Sequence, residues 1–242
     1  MKVVNCTWEL TNIGKKTCEV SIVPDEIINK SIIEDLSKEY EYVVVKANST
    51  NAQNFFILSE LGFSFIEAQL AIQKNISQET ILTDSVLNHF LKNSSLMKIE
   101  TDEDLHSVLN NMTPNMFTTD RIYLDTHFGA EYSLNRYKNW IKTEFGKNTP
   151  LYELIYKGSN VGFIMYKSEE NAVDALLGGI YEKYQNRGLG ILLPLVPYMI
   201  QDHPDWYCTH ISSNNMPVWK MYERLHYSIT NFEYVFVKHN CI

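Results

Sequence analysis

The sequence predicts an α/β (α+β) protein with a mixed central sheet flanked by helices. Short apolar runs of strand length alternate along the chain with segments whose apolar residues recur at helical spacing. A glycine-containing loop at 185–190 follows an apolar run at 176–182 and precedes another apolar run. Two strand-like runs at 152–156 and 161–166, joined by Lys-Gly-Ser-Asn, indicate a hairpin upstream of that loop.

The N-terminal part predicts a smaller α+β domain over 1–95, and the larger C-terminal domain takes 96–242. The boundary falls after a stretch at 74–96 that is rich in Asn, Ser, Thr and Gln, although its apolar residues predict a short helix. The predicted N-terminal elements are strands at 2–10 and 16–23 with a turn at Gly14, a helix opening at Pro24, a strand at 42–45, a helix at 51–61 and a strand at 63–73.

Composition excludes several classes of protein. The chain has 242 residues and a net charge of −8, which argues against a broad nucleic-acid-binding surface. Its four cysteines show no CxxC or CxxH spacing, so no metal or redox site is expected from them. The start lacks an apolar signal core and no apolar run is long enough for a membrane span, which predicts a cytoplasmic protein with no membrane partner.

The loop at 185–190 is the strongest candidate for a ligand site. Its glycines let the backbone turn tightly, so the loop amides and those of the next helix can bind an anion. A Walker loop would continue with Gly-Lys-Ser/Thr, but Gly190 is followed by Ile-Leu-Leu. A dinucleotide loop would place a third glycine at Leu193. Both of these phosphate loops are therefore disfavoured.

Two motifs resemble those of the Gcn5-related N-acetyltransferase (GNAT) superfamily. The first is Ile180-x-x-x-Tyr184-Gln185-x-x-Gly188-x-Gly190. The second, over 215–227, reads Asn-Met-Pro-Val-Trp-Lys-Met-Tyr-Glu-Arg-Leu-His-Tyr. They occur in the family's order, with a hairpin before them and two strands expected after them within 227–238. The resemblance implies a GNAT fold whose central sheet is splayed.

The resemblance also implies a reaction and a set of site residues. The strand at 178–182 would diverge from the next strand so that acyl-CoA lies between them, and an amine would attack the thioester directly, without an acyl-enzyme. Tyr222 matches the general acid that protonates the departing thiolate. No metal is implied. The positions that match cofactor contacts are Ile180, Gln185, Asn186, Arg187, Gly188, Leu189, Gly190 and Asn215.

The sequence departs from the family pattern near the loop. Glu182, Asn186 and His226 replace a common proline and two common glycines. Pro194 and Pro197 lie within the helix predicted to run from the loop towards Gln201, and each should kink it. The general base is left open, with Asp174 and Glu182 as candidates near the ends of the central strand.

Two further passages resemble sugar-nucleotide acyltransferases similar to dTDP-fucosamine acetyltransferase. They are 54–69 and the segment Asp120-Arg-x-Tyr-x-Asp-x-x-Phe128. The resemblance implies a dTDP-linked amino sugar as acceptor, in surface polysaccharide synthesis. Stacking, diphosphate pairing and hydroxyl contacts would then come from aromatic, arginine and aspartate side chains. The candidate acceptor-binding residues are Arg121, Tyr123, Asp125 and Tyr137.

Several alternatives remain open at this point. The acceptor could instead be a peptide or protein amine, which an acidic cleft suited to lysine would favour. The chain could also be a non-catalytic acyl-CoA-binding domain. The acyl group could be acetyl or a larger group such as 3-hydroxybutyryl. Oligomeric state is not readable, although edge strands expected at the C-terminal end are compatible with a homodimer.

Overall fold

Ten strands form one mixed sheet in the computed structural model, which describes residues 1–76, 83–200 and 204–241. They are β1 (Lys2–Asn5), β2 (Thr17–Ile22), β3 (Tyr42–Asn48), β4 (Ser64–Asn75), β5 (Ser94–Lys98), β6 (Leu151–Tyr156), β7 (Ser159–Glu169), β8 (Ala172–Ile180), β9 (Trp206–Ser212) and β10 (Ser228–His239). The mixed α/β class predicted from the sequence is confirmed.

Helices flank this sheet. Within the described ranges they are α1 (Trp8–Ile13), α2 (Lys30–Glu39), α3 (Ala52–Glu60), α4 (Ser85–Lys92), α5 (Asp102–Asn111), α6 (Arg121–Leu124), α7 (Ala130–Gly146), α8 (Leu192–Leu195) and α9 (Met216–Arg224). Neighbouring residues of one strand face different apolar clusters: Phe163 packs with Ile141, whereas Ile164 packs with Leu192. Apolar packing therefore covers both faces of the sheet. None of the helices described has the length and apolar character needed to cross a membrane.

The strand order interleaves the two ends of the chain. It runs β1-β2-β3-β10-β4-β9-β8-β7-β6-β5, so β10 lies between β3 and β4, and β4 lies between β10 and β9. The β2–β3 and β8–β9 pairs are parallel, and the others are antiparallel. Residues 1–95 and 96–242 thus build one sheet together, and β5 spans the predicted boundary. Their division into two domains stays a prediction.

Two N-terminal elements differ from the prediction. The strand predicted over 2–10 ends at Asn5, and 8–13 form α1, which Gly14 ends in the left-handed conformation at φ 68°. The helix predicted from Pro24 begins at Lys30, because Asn29 caps it by accepting a hydrogen bond from the Ser31 amide. The short helix predicted within 74–96 corresponds to α4. Residues 77–82 of that stretch lie outside the described residues.

The two strands predicted within 227–238 are one strand, β10. It pairs with β4 over Ser228–Val237 and with β3 over Glu233–His239, so one or both neighbours hold the strand extended along its length. Ser228–His239 contains no Gly or Pro that would turn the chain. The edges of the described sheet are β1 and β5, so the premise that C-terminal edge strands favour a dimer is wrong.

The helix predicted to run from the glycine loop towards Gln201 is broken into short pieces, which goes beyond the kinks expected at its two prolines. The chain instead forms a 3-10 turn (Leu189–Ile191), the four-residue α8 and a second 3-10 turn (Val196–Tyr198). The physical reason is the pair Pro194 and Pro197, which remove amide donors and crowd the preceding turn. The predicted end point, Gln201, lies outside the described residues.

Candidate active site

The central feature of the site is the point where β8 and β9 separate. They pair only from Ala172–Ala175 to Trp206–Thr209. The register of β8 with β7 then jumps, with Ala175 opposite Tyr166 but Leu177 opposite Met165, which leaves Leu176 as a bulged residue. A bulge bends its strand. The rest of β8 follows β7 to Ile180 without pairing with β9, so the divergence predicted for 178–182 begins at 176.

A cleft of about 490 Å³ occupies this gap and extends across the sheet. We call its two parts the splay half and the polar half. The splay half is lined by Asp174–Gly178, Leu193, Thr209–Ser212, Asn215, Val218 and Tyr222. The polar half is lined by Glu19, Lys46, Glu67, Gln69, Glu233, Met116, Phe117, Thr119, Asp120, Arg121, Arg136, Tyr137 and Trp140.

Tyr222 lies on α9 and is 5% exposed. Its ring packs edge-on against Tyr227, with centroids 4.8 Å apart. Burial raises the pKa of Tyr222, and a hydrogen bond with the Tyr207 hydroxyl opposes that rise without cancelling it. The phenol is therefore protonated at neutral pH and can donate a hydrogen bond or a proton into the splay half.

Asn215 directly precedes α9 and also lines the splay half. Its Oδ1 accepts a hydrogen bond from the Val218 amide at 3.3 Å, which makes it the N-cap of the helix. The Asn215 carbonyl accepts from the Trp219 amide at 2.9 Å. The residue predicted to contact the cofactor thus orients the helix that carries Tyr222.

The glycine loop lies beyond the cleft lining, which reaches only Leu193 on that side. Gln185 Nε2 donates to the carbonyl of Ile180 at 3.2 Å, which ties the loop to the end of β8. Asn186 and Gly188 have φ angles of 59° and 74°. No backbone carbonyl in the described ranges accepts from the amides of 186–188, so these three donors are free for a ligand.

The remaining loop residues divide between surface and core. Arg187 is exposed and its guanidinium lies 5.7 Å from the centre of the Tyr184 ring. Leu189 and Ile180 are buried in the apolar cluster beneath the loop. A Cβ at Gly190 would lie 2.8 Å from Met221 Sδ, so glycine allows α9 to approach closely here.

The two arginines of the polar half are already paired with carboxylates. Arg121 contacts Glu9 at 3.5 Å and Glu19 at 3.4 Å. Arg136 contacts Glu9 at 2.8 Å and Asp120 at 3.6 Å. Glu9 is fully buried between them. These pairings neutralise much of the positive charge that an anionic ligand would need.

Tyr137 forms part of an aromatic wall of the polar half. Its ring stacks on Phe117 at 4.1 Å between centroids, and Trp140 lies 6.1 Å away on the same helix. Its hydroxyl donates to Asp120 at 3.0 Å, and burial raises the pKa of Tyr137. The hydroxyl of Tyr137 is therefore occupied by its hydrogen bond to Asp120, and the face of its ring is the part that forms the aromatic wall.

Glu67 is a cleft residue that the sequence analysis did not select. It is buried on β4, and Gln69 Nε2 donates to its carboxylate at 3.1 Å. Burial raises its pKa, although a hydrogen bond from Ser212 and the nearby Arg121 oppose the rise. No Lys or Arg in the described part of the chain forms an ion pair with it. A Glu within an otherwise apolar strand pattern was the available signal.

Not every predicted residue reaches the cleft. Tyr123 and Asp125 do not line it; Asp125 is buried elsewhere and accepts a hydrogen bond from the Tyr42 hydroxyl. Of the two candidate bases, Asp174 lines the splay half. Glu182 lies outside the cleft lining and accepts from Asn115 Nδ2 at 2.7 Å. The structure therefore brings Tyr222, Asn215, Arg121 and Tyr137 to one cleft.

Comparisons with known proteins bear on the fold. No protein-family profile and no curated protein matches the sequence. Among solved structures, a GCN5-related N-acetyltransferase from Kribbella flavida matches 92% of this chain and 80% of its own, with 11% identity and a TM-score of 0.56. One from Sphaerobacter thermophilus gives 9% identity and a TM-score of 0.56; the match covers 82% of this chain and 59% of that protein.

A third match is a functionally unknown conserved protein from Staphylococcus epidermidis. It covers 93% of this chain and 85% of its own, with 13% identity and a TM-score of 0.59. At these identities the likeness shows the fold. The chain therefore adopts the fold of the GCN5-related N-acetyltransferases, in agreement with the resemblance of its two sequence motifs. The sugar-nucleotide subgroup has no counterpart among these matches.

Proposed function

We propose that this protein is an acyl-CoA-dependent N-acyltransferase in which an amine attacks the thioester directly. The observation that carries the proposal is the separation of β8 from β9 after Ala175, which opens a cleft beside Tyr222 in a chain with a GNAT fold. A gap between two otherwise paired strands leaves backbone groups available to an extended ligand.

The residues around the gap fit coenzyme A. Backbone groups of 176–180 that face β9 are unpaired by that strand and suit the amides of the pantetheine arm. The free amides of 186–188, with exposed Arg187 beside them, suit a diphosphate. When bound, acyl-CoA supplies an activated acyl group on its thioester.

Tyr222 takes the role of general acid. Its raised pKa keeps the phenol protonated at neutral pH, so it can donate to sulfur as the thiolate forms. Tyr207 orients the hydroxyl through the hydrogen bond between the two phenols. Asn215 fixes the first turn of α9 and thereby the position of the tyrosine.

Glu67 takes the role of general base. The acceptor amine must lose a proton to become acylated, and a carboxylate with a raised pKa is better matched to that transfer near neutral pH. Gln69 Nε2 donates a hydrogen bond to the Glu67 carboxylate, and both residues line the cleft. Asp174, on the splay side, is the alternative base.

The charge of the polar half favours a cationic amine as acceptor. Arg121 and Arg136 are matched by carboxylates, and Lys46 is paired with Glu19 at 3.0 Å. Glu67 and Glu233 have no such partner among the described residues. A lysine side chain or another small amine would supply the missing positive charge.

A dTDP-linked amino sugar, for surface polysaccharide synthesis, is the second candidate acceptor. The observation that favours it is the aromatic wall of Phe117, Tyr137 and Trp140, on which a flat base could stack. Pairing of the two arginines with carboxylates counts against it, because a diphosphate would have to compete for them.

A thiol-release assay tests these proposals. Acetyl-CoA, propionyl-CoA and 3-hydroxybutyryl-CoA would each be combined with a lysine peptide, small alkyl diamines and dTDP-amino sugars. Turnover of a non-nucleotide amine supports the favoured acceptor class, and turnover confined to dTDP-sugars supports the second. CoA binding by calorimetry without turnover of any acceptor would support a non-catalytic domain and overturn the enzymatic proposal.

A further inference from the structure

A cluster of metal-binding side chains lies outside the cleft. We call it the Asp125 cluster; it consists of Asp125, His127 and His239. His127 Nδ1 is 3.1 Å from Asp125 Oδ1, and His239 Nε2 is 2.8 Å from Asp125 Oδ2. One candidate ligand atom from each residue lies within 4.8 Å of the others. None of the three lines the cleft.

We propose that the Asp125 cluster binds one divalent transition-metal ion of the zinc type. Two imidazole nitrogens and one carboxylate oxygen form a donor set that suits Zn²⁺ and leaves room for water in the remaining position. Metal–ligand bonds of about 2.1 Å at tetrahedral angles place ligand atoms roughly 3.4 Å apart. The two His–Asp125 separations, 3.1 and 2.8 Å, are somewhat shorter than that value, and a shared ion requires the stacked imidazole rings to turn until each points a nitrogen at it.

The carboxylate is oriented as a metal ligand requires. The buried hydroxyl of Tyr42 donates to Asp125 Oδ2 at 3.1 Å, and the His127 amide donates to Oδ1 at 3.1 Å. Such outer contacts hold a ligating carboxylate in place and raise metal affinity. Asp125 has no Lys or Arg ion-pair partner within the described ranges, so a bound cation would not displace one.

The cluster is open to solvent on one side. Side-chain exposure is 63% for His127 and 20% for His239, against 4% for Asp125. The two imidazole rings stack with centroids 3.8 Å apart, and each presents a nitrogen to a different oxygen of the Asp125 carboxylate. An ion can therefore enter from the His127 side and keep one or more water ligands.

The bound ion would join three parts of the fold. His239 ends β10, Asp125 follows α6, and Tyr42 begins β3. The Asp125 amide donates to the Arg121 carbonyl at 3.0 Å, so the ion would also hold α6 in place. The role inferred is therefore structural: the ion stabilises the fold where β3 begins and β10 ends, and it takes no part in acyl transfer. The inference does not depend on the proposed function.

A metal titration of the full chain tests the proposal. The protein would be prepared without a histidine tag, stripped with chelator, and titrated with Zn²⁺ by calorimetry and thermal melting. We expect one ion per chain, and a rise in Tm of roughly 5–10 °C when free Zn²⁺ exceeds Kd about 100-fold. Co²⁺ should give visible absorption bands typical of four or five ligands.

Variants locate the site. His127→Ala and His239→Ala should each abolish the Zn²⁺-dependent rise in Tm, while His106→Ala, an exposed histidine on α5, should leave it intact. His127 is the safer variant because its side chain is mostly exposed, and a Tm measured in chelator shows whether each variant folds. Absence of the rise in the unaltered protein, or its persistence in both variants, would mean that the cluster is only a hydrogen-bonded junction.

Discussion

Thr209 donates its hydroxyl hydrogen bond to the carbonyl of Ala175 at 2.9 Å, at the last residue pair that joins β8 to β9. Both residues are buried. The bulged Leu176 follows immediately. The side chain of one strand thus fixes the backbone of the other at the point where the cleft begins, and the bulge directs the rest of β8 away.

Replacing Thr209 by valine should loosen this junction. The buried Ala175 carbonyl would lose a donor, which costs about 1–3 kcal/mol of unfolding free energy. The KM for acyl-CoA should rise with the altered gap. Thr230→Val is the matched control, because Thr230 also donates to a backbone carbonyl, that of Ala71, but is exposed. Denaturant melts and steady-state kinetics measure both effects; equal effects of the two variants would contradict a special role for Thr209.

Tyr222→Phe should lower kcat about 100-fold while leaving CoA affinity within a few-fold, since the ring stays and only the proton donor is lost. Tyr227→Phe is the control: its ring contacts Tyr222, but its hydroxyl donates to the Pro194 carbonyl at 3.3 Å, outside the cleft. That variant should lose some stability and keep its kcat. Full activity in Tyr222→Phe would remove the general-acid role.

Glu67→Gln should separate activity from stability. Burial raises the folded-state pKa of Glu67, so the folded protein favours the neutral form. The stability that this carboxyl group contributes is fully present below the pKa that Glu67 has in the unfolded chain. It is lost as the pH rises through the higher pKa that Glu67 has in the folded protein. At pH 7 the Gln variant should therefore have an unchanged or higher Tm but a much lower kcat.

The pH profile adds a second readout for Glu67. In the unaltered enzyme, kcat/KM should rise with pH as Glu67 loses its proton, and the Gln variant should lack that limb. Asp174→Asn, tested in parallel, addresses the alternative base. If the rise of kcat/KM with pH persists in Glu67→Gln and disappears in Asp174→Asn, then Asp174 is the general base.

Gly188→Ala should weaken CoA binding several-fold. Gly188 has φ 74° and open space around its Cβ position, so alanine meets no clash but strains the backbone by roughly 1 kcal/mol. Relief of that strain would turn the free amides of 186–188 away from a diphosphate. Gly158→Ala is a close control, with φ 75° and equally open space in the β6–β7 turn. Calorimetry with CoA should show weaker binding by Gly188→Ala than by Gly158→Ala. Similar CoA affinities of the two variants would argue against diphosphate binding by the loop.

Glu144 should govern part of the acid sensitivity. Burial opposes its ionisation, but hydrogen bonds from Lys147, Lys167 and Thr149 outweigh burial and lower its pKa to about 2. Because the pKa of Glu144 is lower in the folded protein than in the unfolded chain, its carboxylate contributes stability above the unfolded-chain pKa. That stability is lost as the pH falls towards 2. Glu144→Gln should cost about 1–2 kcal/mol at neutral pH, since both lysines are partly exposed.

The acid-unfolding curve checks this prediction. The unaltered protein should lose stability between about pH 4.5 and 2, and the Gln variant should show a flatter dependence there. Asp35→Asn, which removes an exposed i,i+3 pair with Lys38, should leave the curve unchanged. Parallel curves for the unaltered protein and Glu144→Gln would contradict the assignment.

Local patterns predicted the local elements well. The helix α3 and the β6–β7 hairpin match the predicted positions closely, because each contains its own apolar period and end signals. The strand predicted over 2–10 ran into α1 because the six residues of that helix are too few to show a helical period. Ser228–His239 was divided in two because its pairing with β3 and β4 depends on partners far away in the chain.

The sequence by itself determined the alternation of helices and strands, the spacing that excludes Walker and dinucleotide loops, and the motif over 215–227 that contains Tyr222. Only the tertiary structure decided where the cleft lies. A bulge at Leu176 and the interleaving of β4 with β10 join Glu67, Arg121 and Tyr222 at one cleft. These residues come from distant parts of the chain, and strand pairing over such separations depends on which edges meet in the folded sheet, which no local pattern encodes.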